Sequence, residues 1–239
     1  MDAFLWSGFV SVVSARHAKR AYLDRPVRRD LLERVLRVAS GAPSTRNGQP
    51  WQVTVVSSER RDALAKRLQA EFDSGVGQHP DYPNRPVHLD EAIEARARAA
   101  NTGVLLAKGY PAADRAARRA HLRDNLGFYG APTEMIFHLP AAAPQGLFLE
   151  MGFFLQNVML GLVACGLGSC PQFSVAGYPD AIRDELGIGA DRLIVCGLAV
   201  GYPDESVGVN HFHPARAELA EFVQWHDGAP TTSPSTQGA

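Results

Sequence analysis

A chain of 239 residues with 46% hydrophobic content can bury one sizeable core, and its length fits one domain better than two. Lys plus Arg count 24 against 25 for Asp plus Glu, so the basic excess that neutralises phosphates is missing and nucleic acid is not an expected partner. Three cysteines, Cys165, Cys170 and Cys196, are too few for a disulfide framework and point to a reducing, cytoplasmic setting.

The opening "MDAFLWSGFVSVVSARHAKR" has an apolar centre, but Asp2 begins it and Arg16 stands where small cleavage-site residues belong. It therefore predicts a first helix rather than a signal peptide. No run reaches the roughly 18 to 20 apolar residues of a membrane span. In "RRDLLERVLRVAS", Leu31, Leu32, Val35, Leu36 and Val38 recur at helical spacing, with Asp30 as a cap and Gly41 past the end. The polar, proline-bracketed "GAPSTRNGQPW" that follows suits either a solvated turn or the rim of a pocket. "WQVTVV" reads as a strand, "SERRDALAKRLQAEF" as a helix opened by Ser58, and "SGVGQHPDYPNRPVH" as a loop rich in Gly and Pro. A helical pattern returns from Leu89 to Asn125, broken at Pro111. "TEMIFHL" is a strand with "AAAPQG" as its exit. "LFLEMGFFLQNVMLGLVACGLG" is apolar nearly all round, which predicts a helix buried on most faces in a core or an oligomer interface. Beyond "SCPQFSVAGYPD", the segment "AIRDELGI" reads as a short helix and "DRLIVCGLAVGYP" as a buried strand. The small, polar end predicts a disordered tail over 228–239, leaving residues 1–227 as a single domain. Helices and strands mix without regular alternation, so the fold class is α+β.

Most catalytic patterns are absent. "GLGSCP" follows a helix and has Pro171 at the third glycine position, so it is no dinucleotide fingerprint. Cys165 and Cys170 lack a second ligand pair at zinc spacing and are read as buried structural thiols, with no metal expected. His211 and His213 alternate in a polar segment and read as solvated. No serine occupies a G-x-S-x-G elbow. What remains is "ARHAKRAY", where Arg16 and Arg20 share a side in an extended or a helical chain. Two guanidinium forks there suit a phosphate, although a solvated helix end is the simpler reading of this stretch alone.

Taken together, "SARHAKRAYLDRPV", "ASGAPSTRNGQPWQVTVV", "NLGFYGAP", "MGFFLQNVMLGLVACGLGSCPQ" and "LAVGYPD" resemble, in this order, the nitroreductase family of flavoproteins, and most of all its nitrobenzoate-reductase-like subgroup. The resemblance spans about residues 10 to 225. It implies an α+β sandwich with a central mixed sheet flanked by helices, working as an intertwined homodimer with FMN in two interface pockets and NADPH or NADH as co-substrate. Arg16 and Arg20 are implied to hold the phosphate and the N1/O2 side of the ring, with His17 and Ala18 adding contacts. Pro43, Ser44, Thr45 and Asn47 are implied to reach in from the opposite chain. Pro171, Gln172, Phe173 and Ser174 match the loop at the N5 edge, Asn125 the pyrimidine edge, and Arg216 a basic residue at the phosphate. No side chain is implied to be catalytic: FMN relays hydride from the nicotinamide to a nitroaromatic or quinone in a ping-pong cycle.

Three departures bear on cofactor retention. Ala18 stands where relatives carry Ser, Gly127 where they often carry Arg or Lys, and His213 where Arg is frequent. They leave two further readings open, a catalytically silent flavin-binding protein and a flavin-dependent dehalogenase or dehydrogenase. The latter needs a lid that grips an acid, for which Arg96 and Arg98 in the insertion at residues 73–115 are the candidates.

Overall fold

In the computed structural model, which describes residues 3–84 and 88–226, four strands form one antiparallel sheet. They are β1 (Gln52–Ser57), β2 (Thr133–Pro140), β3 (Gly168–Gln172) and β4 (Arg192–Gly201), in the order β1-β2-β4-β3. β2 is buried along all but its last residue, and β4 along all but its first. Covered on both faces, they read as continuous apolar runs instead of alternating ones. Side chains nevertheless alternate. Met135 and Phe137 enter one core, while Ile136 enters the other on the opposite face.

Seven helices supply the covering layers. α1 (Ala3–Ala15) opens the chain, and α2 (Arg29–Ala39) packs Leu32, Val35 and Ala39 against the long α6 (Gln145–Ala164) over the Met135 face. Gly161 permits that approach, because a Cβ there would lie 3.0 Å from Val35 Cγ1. α3 (Ser58–Asp73) and α7 (Pro179–Leu186) cover the Ile136 face through Leu64, Leu68 and Ile182. α4 (Glu91–Ala107) lies in the insertion and α5 (Arg115–Leu126) follows it, each opened by an aspartate whose side chain accepts backbone N–H bonds: Asp90 from Ala92, Asp114 from Ala116 and Ala117.

Several expectations are corrected. Asp30 does not cap α2; it lies in the first turn, where Arg28 Nε holds its carboxylate at 2.9 Å, and Arg28 itself is the cap position. Ser58 begins α3 with φ 53°, and the preceding Ser57 occupies the cap without a side-chain bond. The four named strands pair only antiparallel, where a mixed sheet was expected. β3 begins at the last residue of the stretch read as a helix and runs into "SCPQ", where no strand was expected. Cys165 is half-buried at the end of α6, whereas Cys170 and Cys196 are buried, and all three are free thiols. α6 itself has the length and mean hydropathy (1.7) of a membrane span, contrary to the count of uninterrupted apolar residues. Only 39% of that stretch is buried within this chain, so it is not covered on most faces: Leu149 and Phe153 stand exposed at 62% and 41%. The expected disordered tail lies outside the described residues.

One feature of the sheet interior is testable by stability. Gly197 on β4 gives room to Glu134 on β2, because a Cβ at 197 would collide with Glu134 Oε1 and crowd Val175. Glu134 is fully buried and has nowhere to retreat. Gly197→Ala is therefore expected to cost about 1–3 kcal/mol through overpacking. Chemical denaturation checks this, and unchanged stability would show that Glu134 can swing aside.

Candidate functional site

The segment after α1 is extended and tied to the edge of the sheet. Ala18 bridges Ser169 in β3, the Lys19 amide donates to Ser169 O at 3.0 Å, and Tyr22 bridges Pro203. In an extended chain alternate residues share a face, so Arg16, Ala18 and Arg20 turn one way and Lys19 the other. Lys19 pairs with Glu205 at 2.8 Å. Asn210, fully buried, locks this geometry. Its Oδ1 accepts from the Arg20 amide at 2.7 Å, and its Nδ2 donates to the carbonyls of Ala21 and Asp204 at 2.7 and 2.9 Å. Nothing in the sequence singled out Asn210, since one asparagine in a polar segment carries no periodic signal.

Arg16, His17, Ala18 and Arg20 line one side of a cleft of about 140 Å³, and Phe212, Pro214 and Arg216 line the other. Asn101 and Val104 of α4 close it. Partial burial, and then the neighbouring charge of Arg216, pull the Arg16 pKa below its ordinary value. Two guanidinium groups that disfavour each other in a half-buried cleft are a seat for an anion. Arg20 Nε is buried without a hydrogen-bond partner, while the rest of its guanidinium meets Ala18 O at 3.4 Å and the Tyr129 hydroxyl. Such an orphaned donor is costly unless a ligand group meets it. The cleft alone is smaller than the roughly 300–1,000 Å³ of pockets that enclose a whole drug-sized ligand.

His211 and His213 are exposed, as expected, but His213 also has a ring neighbour. Its ring lies 3.9 Å from that of His17, whose Nδ1 and Nε2 face the carbonyls of Ala15 and Asn210 at 3.0 and 2.7 Å. Desolvation, and then His17, Lys19, His211 and Arg216, lower the His213 pKa, which favours its neutral form.

A second part of the site forms where β3 ends. Gln172 Nε2 donates to Asn125 Oδ1 at 2.9 Å and to the Asn125 carbonyl at 2.5 Å, and Ser174 Oγ donates to the same Oδ1 at 2.8 Å. Asn125, expected at the pyrimidine edge, is thus joined to Gln172 and Ser174, expected at the N5 edge, with Pro171 half-buried and Phe173 50% exposed beside them. A Cβ at Gly127 would sit 2.5 Å from Gln69 Nε2, so a longer side chain there would require Gln69 to swing aside. Lys108, at the end of α4, brings a cation to this region instead. It pairs with Asp124 at 2.9 Å, lies 5.1 Å from the Tyr129 ring centre, and shares with Arg20 the lining of an adjoining cavity of about 600 Å³. The positive field is felt by His121, whose pKa is pushed down to about 4 by burial first and then by Lys108 and Arg20.

Pro43, Ser44, Thr45 and Asn47 do not line this cleft. Their loop lies by α6, where the Thr45 amide donates to Glu150 Oε1 at 2.9 Å and Ser44 Oγ accepts from the Gln49 amide. Pro43, Thr45 and Asn47 are exposed, while Ala42 anchors the loop in the core. Arg96 and Arg98 do not form a vacant acid grip: Arg96 pairs with Glu221 at 3.2 Å and Arg98 with Glu94 at 3.1 Å. Among the described residues no group of three or more His, Cys, Asp or Glu could hold a metal.

Residues 13–202 match the nitroreductase family. A 4-nitrobenzoate reductase of Pseudomonas putida is 34% identical over 93% of this chain and 97% of its own length. A chloronitrobenzene nitroreductase of Comamonas testosteroni is 31% identical over 89% of this chain and 94% of its own. Among solved structures, the FMN- and NADPH-dependent nitroreductase NfnB from Sphigopyxis sp. strain HMH superposes with a TM-score of 0.88 at 36% identity, covering 90% of this chain and 97% of the other. The FMN-dependent nitroreductase NfnB from Mycobacterium smegmatis, solved in complex with NADPH, gives 0.89 at 29% identity, covering 93% and 99%.

Proposed function

Because this chain belongs to the nitroreductase family, we propose that it is an FMN-dependent oxidoreductase that takes hydride from NADPH or NADH and delivers it to nitroaromatic or quinone acceptors. The observation that carries this reading is the convergence of Arg16, Arg216 and the unpartnered Arg20 Nε on one cleft. When bound, FMN supplies the hydride-accepting and hydride-donating centre that no side chain here provides.

The residues present fit that group. Arg16 and Arg216 receive the phosphate, each relieving the other's charge through the shared anion, with His17 and the Ala18 backbone beside them. Arg20 offers its buried donor to the electron-rich edge of the ring, where a fixed cation favours the reduced, anionic form. Lys108 adds positive potential that Gly127 cannot. Asn125, held by Gln172 and Ser174, addresses the pyrimidine edge, and the 171–174 loop with half-exposed Phe173 flanks the reactive edge. The exposed loop of Pro43, Ser44, Thr45 and Asn47 completes the pocket of a second copy, so that the working unit is a homodimer. The absence of an acid–base or nucleophilic constellation accords with a reaction in which the protein chiefly positions and desolvates its reactants. Three free thiols accord with a cytoplasmic location.

Oxidation of NADPH and of NADH, followed with and without a nitroaromatic acceptor, tests the activity. Turnover that rises on adding the acceptor is expected with at least one nucleotide. A purified, FMN-loaded protein whose nucleotide oxidation ignores every nitroaromatic and quinone offered overturns the reading.

A further inference from the structure

Glu134 is the second residue of β2 and has no exposed surface; its carboxyl oxygens have no partner at full hydrogen-bond geometry, and only the Leu198 amide approaches them. On the same face of the sheet, Gln172 Oε1 is also buried and unpartnered, because Gln172 spends its Nε2 on Asn125. The register brings the two together. Glu134 and Ile136 on β2, Ala199 and Gly197 on β4, and Cys170 and Gln172 on β3 all point to the α3 and α7 side, and Gly197 pairs with Gln172. Glu134 leans over Gly197, where a side chain would strike its Oε1, and so extends across β4 toward β3. Two unmet acceptors facing a glycine-floored gap need a donor, and ionised Glu134 cannot be one.

We propose that Glu134 is a neutral carboxylic acid whose O–H donates to Gln172 Oε1, a buried link that fixes the Gln172 amide and, through it, Asn125 at the cofactor pocket. Glu134 is thus a positioning residue two steps from the pocket. The charged groups around it favour a proton held there: an ionised Glu134 would push up the pKa values of Tyr22 and Cys170 beside it and of Cys196 on the other face of β4, and the one cation acting on it, Arg61 on α3, does so only through space. Burial first raises its pKa well above the ordinary carboxylate value, with the Leu198 amide and Arg61 opposing. A folded-state pKa raised above the unfolded one contributes stability that is complete below about pH 4.3 and fades as pH rises through the folded value.

The pocket role rests on FMN binding, so the test has one arm without the cofactor. In apo protein, Glu134→Leu and Gln172→Leu are expected to lose stability non-additively, because either one breaks the same bond. The infrared spectrum of wild type is expected to show a protonated-carboxyl C=O band that Glu134→Gln lacks. In the FMN arm, Glu134→Gln restores a donor and is expected to bind within about threefold of wild type, whereas Glu134→Leu binds about tenfold more weakly. Additive stability losses, an ionised carboxylate at 134, or equal FMN affinity for the Gln and Leu variants each overturn the proposal. Failure of wild type to bind FMN sinks the proposed function and leaves the apo arm to decide the Glu134 link.

Discussion

Arg16→Ala is expected to purify largely colourless and to bind added FMN about 10- to 100-fold more weakly than wild type, the equivalent of one charge-assisted contact at about 1.5–3 kcal/mol. The reasoning is local. Arg16 is half-buried, its charge opposed by burial and by Arg216, so in the absence of an anion it contributes little to the fold. Apo stability should accordingly stay the same or rise slightly on removing it. Arg16→Lys separates charge from geometry: it keeps the cation but loses the planar fork that matches phosphate oxygens, and should bind with intermediate affinity. Titration of the apo proteins by flavin fluorescence quenching reads all three. A yellow Arg16→Ala variant of unaltered affinity would remove the phosphate role from this residue.

The second large effect is expected far from that cleft in the lone chain. Leu149 and Phe153 lie one turn apart on the outer face of α6, 62% and 41% exposed, with α1 alongside carrying exposed Trp6 and Phe9. An apolar surface of this kind on one chain marks a contact with something else. The patch is continuous with the exposed 43–47 loop, held to α6 by Thr45 and Glu150, and the proposed homodimer would cover it with a second copy. In the double variant Leu149→Glu, Phe153→Glu the monomer pays little, since surface substitutions usually fall within about 0.5 kcal/mol. The dimer would have to bury four unpaired carboxylates, each worth several kcal/mol. The variant is therefore expected to become monomeric and to lose FMN at the same time, with its circular dichroism intact. A monomer that keeps wild-type FMN affinity would show that each chain holds the cofactor unaided.

What could be read from the sequence was set by how local its cause is. Periodic helices such as α2 and α3, and the β-branched runs of β1 and β4, follow from neighbours in the chain, and they stand where expected. Arg16 and Arg20 shared a face in either backbone state, so their convergence did not depend on knowing which one forms. β3 was invisible because Gly168 and Pro171 weaken any strand pattern; it exists through its pairing with β4. The exposed side of α6 was equally hidden, because apolarity does not distinguish a core from an interface. Long-range hydrogen bonding accounts for the rest. Asn210 ties residues 20 and 21 to 204, and Lys108 comes to the cofactor region from an insertion whose role composition left open. Glu134 read as one polar residue in a strand, and only the missing side chain at Gly197 explains how it is accommodated.

Sedimentation of the reconstituted protein, recorded at a flavin wavelength and in the far ultraviolet together, bears most directly on the claim that two copies jointly enclose FMN. The expected result is one boundary at dimer mass, carrying about one flavin per chain. A stable monomer boundary with no visible absorbance, persisting after incubation with excess FMN, would contradict it.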